Sequence, residues 1–237
     1  MTHPPIDSPT TFPDWPFPWP AFDVDWRDAA LLLIDLQNYS ANPDAGLMQL
    51  LAQRRPDVAA YYVPWMRDVV VPNAARLLAA FRAAGRPVLY TRHGSLLPDG
   101  SDMAPRRRRR AADAAEGRGL PAMWPRGTFE HEIIAELQPQ PNELVLDKNT
   151  SSAFHSTPIN YLLGNLGIET IVIAGMATDM CVEMTARDAG DLGYNVIVVE
   201  DATATFYPQH HSAALSGLAR VFAQVWTTGQ VLASLSW

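Results

Sequence analysis

The sequence predicts an α/β fold, with a mostly parallel sheet and helices on both faces in a Rossmann-like three-layer arrangement. Short apolar runs recur along the chain, and segments with helical spacing of apolar residues separate them. Each run is continuous, as expected for a strand buried on both faces. Strands that alternate with helices imply βαβ crossovers and therefore parallel pairing. A chain of 237 residues, 48% of them hydrophobic and 18% charged, can bury one large core.

The first strand is predicted at 29–35, where AALLLID forms an apolar run. Further strands are predicted at 86–92, 143–148, 169–175 and 194–201, with a last short strand near Val225. Helices are predicted at 65–84, 129–137, 157–167, 181–193 and 209–222. Gly85 and Pro87 end the first helix, because neither residue continues a helix well. The segment 95–128 is rich in Arg, Gly and Pro, and we predict a long surface loop there.

Residues 1–25 are predicted to form an extended N-terminal arm, and residues 26–237 a single domain. The spacing of prolines in the arm forbids a regular helix. Trp15, Phe17 and Trp19 would be costly to leave together in water. We therefore expect the arm to pack on the body of the domain or on a neighbouring subunit.

The composition argues against several classes of partner. The net charge of −7 gives no general attraction to nucleic acid or to an anionic membrane. No uncharged apolar run approaches the roughly 20 residues that span a bilayer. The N-terminus has no basic region followed by an apolar core, and the single cysteine suits a reducing compartment. We expect a cytoplasmic protein that binds neither nucleic acid nor membrane.

Three ionisable residues fall at the carboxyl ends of predicted strands, where open parallel sheets bind ligands. Asp35 ends the first strand, Lys148 ends the third, and Cys181 follows the fourth at the start of a helix. A helix N-terminus and a nearby ammonium favour a thiolate, and a carboxylate can accept the thiol proton. Taken one at a time, each residue also has an ordinary structural interpretation: a small core residue, a turn or cap, and a solvated lysine.

Together, three segments resemble the isochorismatase-like cysteine hydrolases. The segments are LLLIDLQN with Asp35, LVLDKNTSSAFHST with Lys148, and IVIAGMATDMCVEMTARDA with Cys181. They occur in this order between about residues 29 and 205. The segment VEMTARDAGDLGY and the aromatic-proline arm are similar to the branch with biuret hydrolase, ureidoacrylate amidohydrolase and N-carbamoylsarcosine amidase.

The resemblance implies a catalytic triad of Cys181, Asp35 and Lys148. Asp35 would accept the thiol proton and later donate it to the leaving nitrogen, and Lys148 would stabilise the charges. The backbone N–H groups of Ala177 and Cys181 would form the oxyanion hole. The resemblance also implies a cis peptide bond between Met176 and Ala177.

Several further residues are candidates around this triad. The expected substrate contacts are Gln37, Tyr39, Trp124 and Phe154. Thr178 and Asp179 are expected to stabilise the turn before the nucleophile, and His93 to be a packing or surface residue. Nicotinamidases of this family bind a metal through an Asp-x-His motif, but the corresponding region here reads YTRHGSLLPDG. We therefore predict an enzyme without metal or other cofactor.

The predicted reaction is hydrolysis of a C–N bond in a small carboxamide or ureido compound. An isochorismatase-type vinyl-ether hydrolase and a non-catalytic binding domain remain alternatives. The run of five arginines at Arg106–Arg110 could bind an anion, although such runs are more often solvated. The surrounding loop could form a lid. Relatives and the apolar arm lead us to expect a homodimer or homotetramer.

Overall fold

The computed structural model describes residues 16–121 and 124–235, and its centre is a parallel sheet of six strands. The strand order is β3-β2-β1-β4-β5-β6, and every neighbouring pair is parallel. The strands are β1 (Ala29–Ile34), β2 (Val88–His93), β3 (Leu144–Lys148), β4 (Thr170–Met176), β5 (Asn195–Ala204) and β6 (Gln224–Trp226). The predicted fold class is confirmed.

Helices cover both faces of the sheet and make a three-layer molecule. They are α1 (Asn38–Ala41), α2 (Gly46–Arg54), α3 (Pro56–Trp65), α4 (Val71–Ala83), α5 (Pro105–Ala115), α6 (Ala153–Ser156), α7 (Ile159–Asn165), α8 (Glu183–Asp191), α9 (Pro208–Ala219) and α10 (Thr228–Ser234). π-helical turns join α3 to α4 at Met66–Val70 and lead into α8 at Thr178–Val182.

Alternation of side chains along β1 divides the core into two layers. Leu31 and Leu33 belong to the layer that contains the buried residues of α3, α4 and α10. Leu32 and Ile34 belong to the layer that contains the buried residues of α7, α8 and α9. Since successive side chains of a strand point to opposite faces, a strand covered on both sides must be apolar throughout. All six residues of β1 are accordingly buried.

The strand order reverses between β1 and β4, which pair with each other at the centre of the sheet. The chain winds outward from this point in both directions. Loops after two such strands leave the sheet on opposite sides, and the crevice between them is the usual ligand site of doubly wound folds. The residues that follow β1 and β4 therefore lie at the favoured position for chemistry.

The arginine run is helical, so the prediction of a loop throughout 95–128 is wrong. Helix α5 begins with Pro105 at its first position and includes all five arginines. Arg and Ala have high intrinsic helix propensity, and Pro suits the first turn. The helix has no buried residue. The helix therefore lacks apolar residues at helical spacing, which is why the sequence pattern did not indicate a helix here.

Two other predicted helices differ from the structure. The segment predicted as a helix at 129–137 contains two 3-10 turns, Phe129–His131 and Ala135–Leu137, with extended backbone at Glu132 between them. Ile133 instead bridges Gln37 in an antiparallel pair. The helix predicted to begin at residue 65 already begins at Pro56, and it continues past Pro64 into α4.

Of the predicted N-terminal arm, residues 16–25 are described, and Trp15 lies outside the described residues. Phe22 and Val24 pack against the core layer that contains the buried residues of α3 and α4. The Phe22 carbonyl accepts a hydrogen bond from Gln224 Nε2 at 3.2 Å. Phe17 is 62% exposed on this chain. Within the described ranges, no helix combines the length and the hydropathy needed to cross a bilayer.

Candidate active site

Asp35 follows β1 directly, and the structure fixes it through both its backbone and its carboxylate. Its φ of +53° is in the left-handed region, which is uncommon for a residue with a side chain. Thr91 Oγ1 donates to Oδ1 at 2.7 Å, and Lys148 Nζ donates to Oδ2 at 2.8 Å. Ser40 Oγ donates to the Asp35 carbonyl at 2.7 Å. The carboxylate is thus held by contacts from two neighbouring strands.

Lys148 is the last residue of β3, and its side chain is fully buried. Its ammonium donates to the Asp35 carboxylate and to the carbonyls of Thr150 and Ser151, both at 3.1 Å. These three acceptors use all of its donors. Burial opposes the charge, but Asp35 and Cys181 outweigh it and hold the pKa of Lys148 above its ordinary value. A buried ion pair requires good hydrogen bonding to offset the loss of water, and this pair has it.

Cys181 lies in the π-helical turn Thr178–Val182 that follows β4, next to the ion pair. Its side chain is half-buried. The pKa of the thiol is raised to about 12, chiefly by burial; of its two charged neighbours, Lys148 lowers this pKa and Asp35 raises it. Lys148 thus favours the thiolate, as we expected, but the net shift of the thiol pKa is upward because burial outweighs it.

The end of β4 is shaped so that the backbone after it can approach β1. Gly175 pairs with Ile34 and has a φ of +124°. A Cβ there would lie 2.0 Å from the Ile34 carbonyl oxygen, so no other residue fits. The Met176–Ala177 peptide bond is cis. Within the described part of the chain, the Ala177 N–H donates to no other group.

The two residues after Ala177 anchor the nucleophile turn to α9 and the end of β5. Thr178 Oγ1 shares a hydrogen bond of 2.9 Å with Nδ1 of the buried His211. Asp179 Oδ1 accepts from Thr205 Oγ1 at 2.5 Å, and Oδ2 lies 3.5 Å from His210 Nδ1. These contacts hold the turn in place, as we expected of Thr178 and Asp179.

Tyr39 and Trp124, two of the expected substrate contacts, form one aromatic wall. Their rings stack with centroids 4.8 Å apart and planes inclined by 22°. Burial raises the pKa of Tyr39 well above its ordinary value, and charges on Asp35 and Cys181 raise it further. Tyr39 is therefore close to Asp35 and Cys181.

Phe154 lies on the other side of the sheet layer, in α6. It packs on the same apolar cluster as Cys181, and its ring lies 6.0 Å from that of Tyr194. Whether Tyr39, Trp124 and Phe154 touch substrate stays a prediction.

Gln37 has a different role from the substrate contact that we expected. Its amide nitrogen donates to the carbonyls of His93 and His131 at 3.3 and 2.7 Å. Its amide oxygen accepts from the His93 N–H at 2.6 Å. Because both donors are used and the side chain is fully buried, Gln37 ties the end of β2 to the segment around His131.

Comparison with known proteins gives the family. The isochorismatase domain matches residues 29–230, which is most of the chain and includes all three ionisable residues. This chain belongs to the isochorismatase family. Similar solved structures carry the same domain over nearly their full length, and they support a hydrolase of the cysteine hydrolase type.

Three of these isochorismatase-family structures illustrate the similarity. A cysteine hydrolase from Pseudomonas syringae pv. phaseolicola 1448A has a TM-score of 0.76 and 27% identity, covering 93% of this chain and 98% of that one. An isochorismatase family protein from Desulfovibrio vulgaris subsp. vulgaris str. Hildenborough has a TM-score of 0.69 and 30% identity, with 89% and 100% covered. The N-carbamoylsarcosine amidase from Thermoplasma acidophilum has a TM-score of 0.61 and 28% identity, with 85% and 96% covered.

Sequence reasoning missed several residues that build this isochorismatase-family site. Thr91 and Ser40 donate hydrogen bonds to Asp35. In the sequence, the only local sign of this role is a polar residue within a buried strand or soon after one. His93 is buried, which agrees with the packing role we expected as one of two possibilities, but its contact with Arg107 from the arginine run was not expected. These contacts join segments far apart in the chain, so no spacing could have indicated them.

The described residues include no group of three His, Cys, Asp or Glu side chains placed to hold a metal ion. The absence of a metal from the reaction stays a prediction.

Proposed function

We propose that this protein is a cysteine-dependent amidohydrolase that cleaves a C–N bond of a small carboxamide or ureido compound. The observation that carries the proposal is the buried ion pair of Asp35 and Lys148, 2.8 Å apart, beside Cys181 at the β1–β4 reversal. A nucleophile, a base and a group that orients the base are the parts that covalent catalysis requires. Similarity to an N-carbamoylsarcosine amidase supports C–N bonds as the target.

In the proposed first half-reaction, the Cys181 sulfur attacks the substrate carbonyl carbon while Asp35 takes the thiol proton. Because the raised pKa of the thiol disfavours a free thiolate, we propose that attack and proton transfer occur together, with substrate present. The oxyanion accepts hydrogen bonds from the N–H groups of Ala177 and Cys181, each typically worth about 3–4 kcal/mol of barrier. The C–N bond then breaks as Asp35 returns the proton to nitrogen.

In the second half-reaction, water attacks the thioester carbon, and Asp35 accepts a proton from that water. The C–S bond breaks, the proton passes to sulfur, and the acid product leaves. Lys148 keeps Asp35 oriented and charged between the two steps. A ureido substrate would give a carbamoyl-enzyme through the same series of bond-forming and bond-breaking steps.

Mass spectrometry of enzyme quenched during turnover tests this proposal. A panel of primary amides, ureido acids and biuret-like compounds, with isochorismate beside them, is scored for release of ammonia or amine. We expect an acyl or carbamoyl adduct on the peptide that contains Cys181, and nitrogen release from at least one amide or ureide.

Cys181→Ala is the matched variant, because it removes one sulfur atom from a half-buried position. We expect turnover to fall by at least ~10³-fold with an unchanged melting temperature. Turnover of isochorismate alone, with no adduct and with activity retained in Cys181→Ala, would replace the proposal with vinyl-ether hydrolysis.

A further inference from the structure

One arginine of the run Arg106–Arg110 differs from the other four. Arg107 is half-buried, whereas its four neighbours in the run are exposed. Its NH1 lies 2.6 Å from His93 Nε2, and its NH2 donates to Ser151 Oγ at 2.8 Å. Helix α5 has no buried residue, and the Arg107 side chain makes the contact between this helix and the interior of the domain.

Both partners of Arg107 belong to the candidate active site. His93 ends β2 and pairs in register with Lys148 at the end of β3. Ser151 accepts a hydrogen bond from Lys148 Nζ through its backbone carbonyl. Burial and the charges on Asp35 and Cys181 raise the pKa of Tyr39, and the charge of Arg107 opposes them. The guanidinium therefore lies on the side of the molecule where the reacting groups are.

The positive charge of Arg107 is not neutralised within the described part of the chain. Of the four other half-buried arginines, three form ion pairs with a carboxylate: Arg82 with Glu143, Arg92 with Asp147, and Arg187 with Glu183. Arg107 contacts only a hydroxyl and an imidazole. Burial and nearby positive charges hold the pKa of His93 well below its ordinary value, so that ring is neutral and accepts from Arg107.

The remaining donors of Arg107 suit one class of ligand. A guanidinium has five N–H donors, and two of them are used here. Three donors remain on this planar group, and a guanidinium pairs favourably with the oxygens of a carboxylate.

We propose that Arg107 binds a carboxylate group of the substrate, so that the site selects ureido acids or amide acids over uncharged analogues. This inference rests on the proposed amidohydrolase function and gives it a substrate class. The scissile carbonyl lies at Cys181, and the carboxylate at the other end of the substrate pairs with Arg107. Arg107 is in this view a specificity-determining residue that helix α5 brings to the site.

The first test measures the charge preference of the thiol and needs no substrate. Cys181 is the only cysteine, so its alkylation by iodoacetate and by iodoacetamide can be compared by mass spectrometry of one peptide. Iodoacetate carries a carboxylate of the proposed kind, and iodoacetamide is its neutral analogue. We expect the ratio of the two rates to fall at least about tenfold in Arg107→Gln.

Arg108→Gln is the matched control, since its exposed arginine belongs to the same helix and carries the same charge. The ratio should keep its wild-type value there. Arg107→Lys keeps the charge without the planar group and should retain part of the preference. Equal ratios in wild type, Arg107→Gln and Arg108→Gln would overturn the inference.

The second test uses turnover of ureidoacetate and of its uncharged methyl ester. In Arg107→Gln, we expect kcat/KM for ureidoacetate to fall about 10²-fold, while kcat/KM for the ester changes little. An equal fall for both compounds would mean that Arg107 only supports the fold of this region, and would refute the inference. If no amide or ureide is turned over but the alkylation ratio still depends on Arg107, the proposed reaction fails and the carboxylate site stands.

Discussion

At the scale of single residues, the chemistry depends on which groups share protons. Asp35 raises the pKa of the Cys181 thiol and Lys148 lowers it, while burial has the largest effect and brings it to about 12. The two charged neighbours therefore act on the sulfur in opposite directions.

The pH dependence of thiol alkylation follows from that raised pKa. Between pH 7 and 9, the rate with iodoacetamide should rise about tenfold per pH unit without a plateau, because the thiolate fraction does so well below the pKa. Asp35→Asn should speed alkylation and yet abolish turnover, since it removes a charge that raises the pKa and also removes the base. Asparagine tolerates the left-handed backbone at this position, which makes it a clean variant.

Lys148→Met provides the complementary comparison. It removes the charge that lowers the thiol pKa, so alkylation should be slower than in wild type. A plateau near pH 7 in the wild-type protein, or the same rate in both variants, would contradict this account of the site.

Thr91 gives a prediction that the sequence alone could not have made. Its hydroxyl donates to Asp35 Oδ1 at 2.7 Å, and both groups are buried. Thr91→Val has the same shape but leaves a carboxylate oxygen short of a donor, which costs about 1–3 kcal/mol of unfolding free energy. We expect kcat to fall about tenfold with KM nearly unchanged. Thr91→Ser keeps the hydroxyl and should restore kcat, and a variant pair with equal kcat would argue against this role.

At the scale of secondary-structure elements, the close approach of β1 and β4 determines where the nucleophile turn begins. Gly175→Ala would place a methyl group 2.0 Å from the Ile34 carbonyl, and at a φ of +124°. Relief requires the two central strands to separate at the point that positions Asp35. We expect a loss of several kcal/mol in unfolding free energy, or insoluble protein, measured by urea unfolding.

Gly164→Ala in α7 is the control for Gly175→Ala. An added Cβ at Gly164 meets no atom within 4 Å. Its stability should equal or exceed that of wild type, because Ala is the better helix former. Similar unfolding free energies for the two alanine variants would show that the approach of β1 and β4 is not limiting.

Elements with a strong physical pattern were predictable, and those without one were not. The strands β1 and β4 are buried on both faces and must therefore be apolar throughout. Each is visible in the sequence as a continuous apolar run. Helix α5 has no buried face, and its arginines carry no period that distinguishes it from a loop. The segment around Glu132 has helical composition, but the pairing of Ile133 with Gln37 holds its backbone in an extended conformation.

The same contrast holds for the candidate site. Asp35, Lys148 and Cys181 could be found because each occupies a recognisable segment at the end of a predicted strand. The hydrogen bonds of Thr91, Ser40 and Arg107 depend on three-dimensional proximity, which a single sequence does not contain.

At the scale of the whole molecule, association of subunits stays a prediction. The expected homodimer or homotetramer would appear in light scattering as a mass two or four times that of the 26.1 kDa chain. A monomeric mass at micromolar concentration would contradict the expectation, and it would also remove the argument that the aromatic arm packs on a neighbouring subunit.

Global stability should fall as the pH falls below the ordinary histidine pKa. Burial holds the pKa values of His93 and His131 below their ordinary value, so both rings stay neutral in the folded protein. The unfolded chain binds protons at these residues below about pH 6.5, and the folded chain does not. The unfolded state then binds more protons, and stability decreases as pH decreases. Each ring contributes up to about 1.4 kcal/mol per pH unit in this range.

Urea unfolding at pH 7.5, 6.5 and 5.5 measures the effect. His93→Gln retains an acceptor for Arg107 and removes one titrating ring, so the slope of unfolding free energy against pH should become less steep. A stability that does not change between pH 7.5 and 5.5 would mean that His93 and His131 accept protons in the folded state, and Arg107 would then lose the neutral acceptor that directs it toward the site.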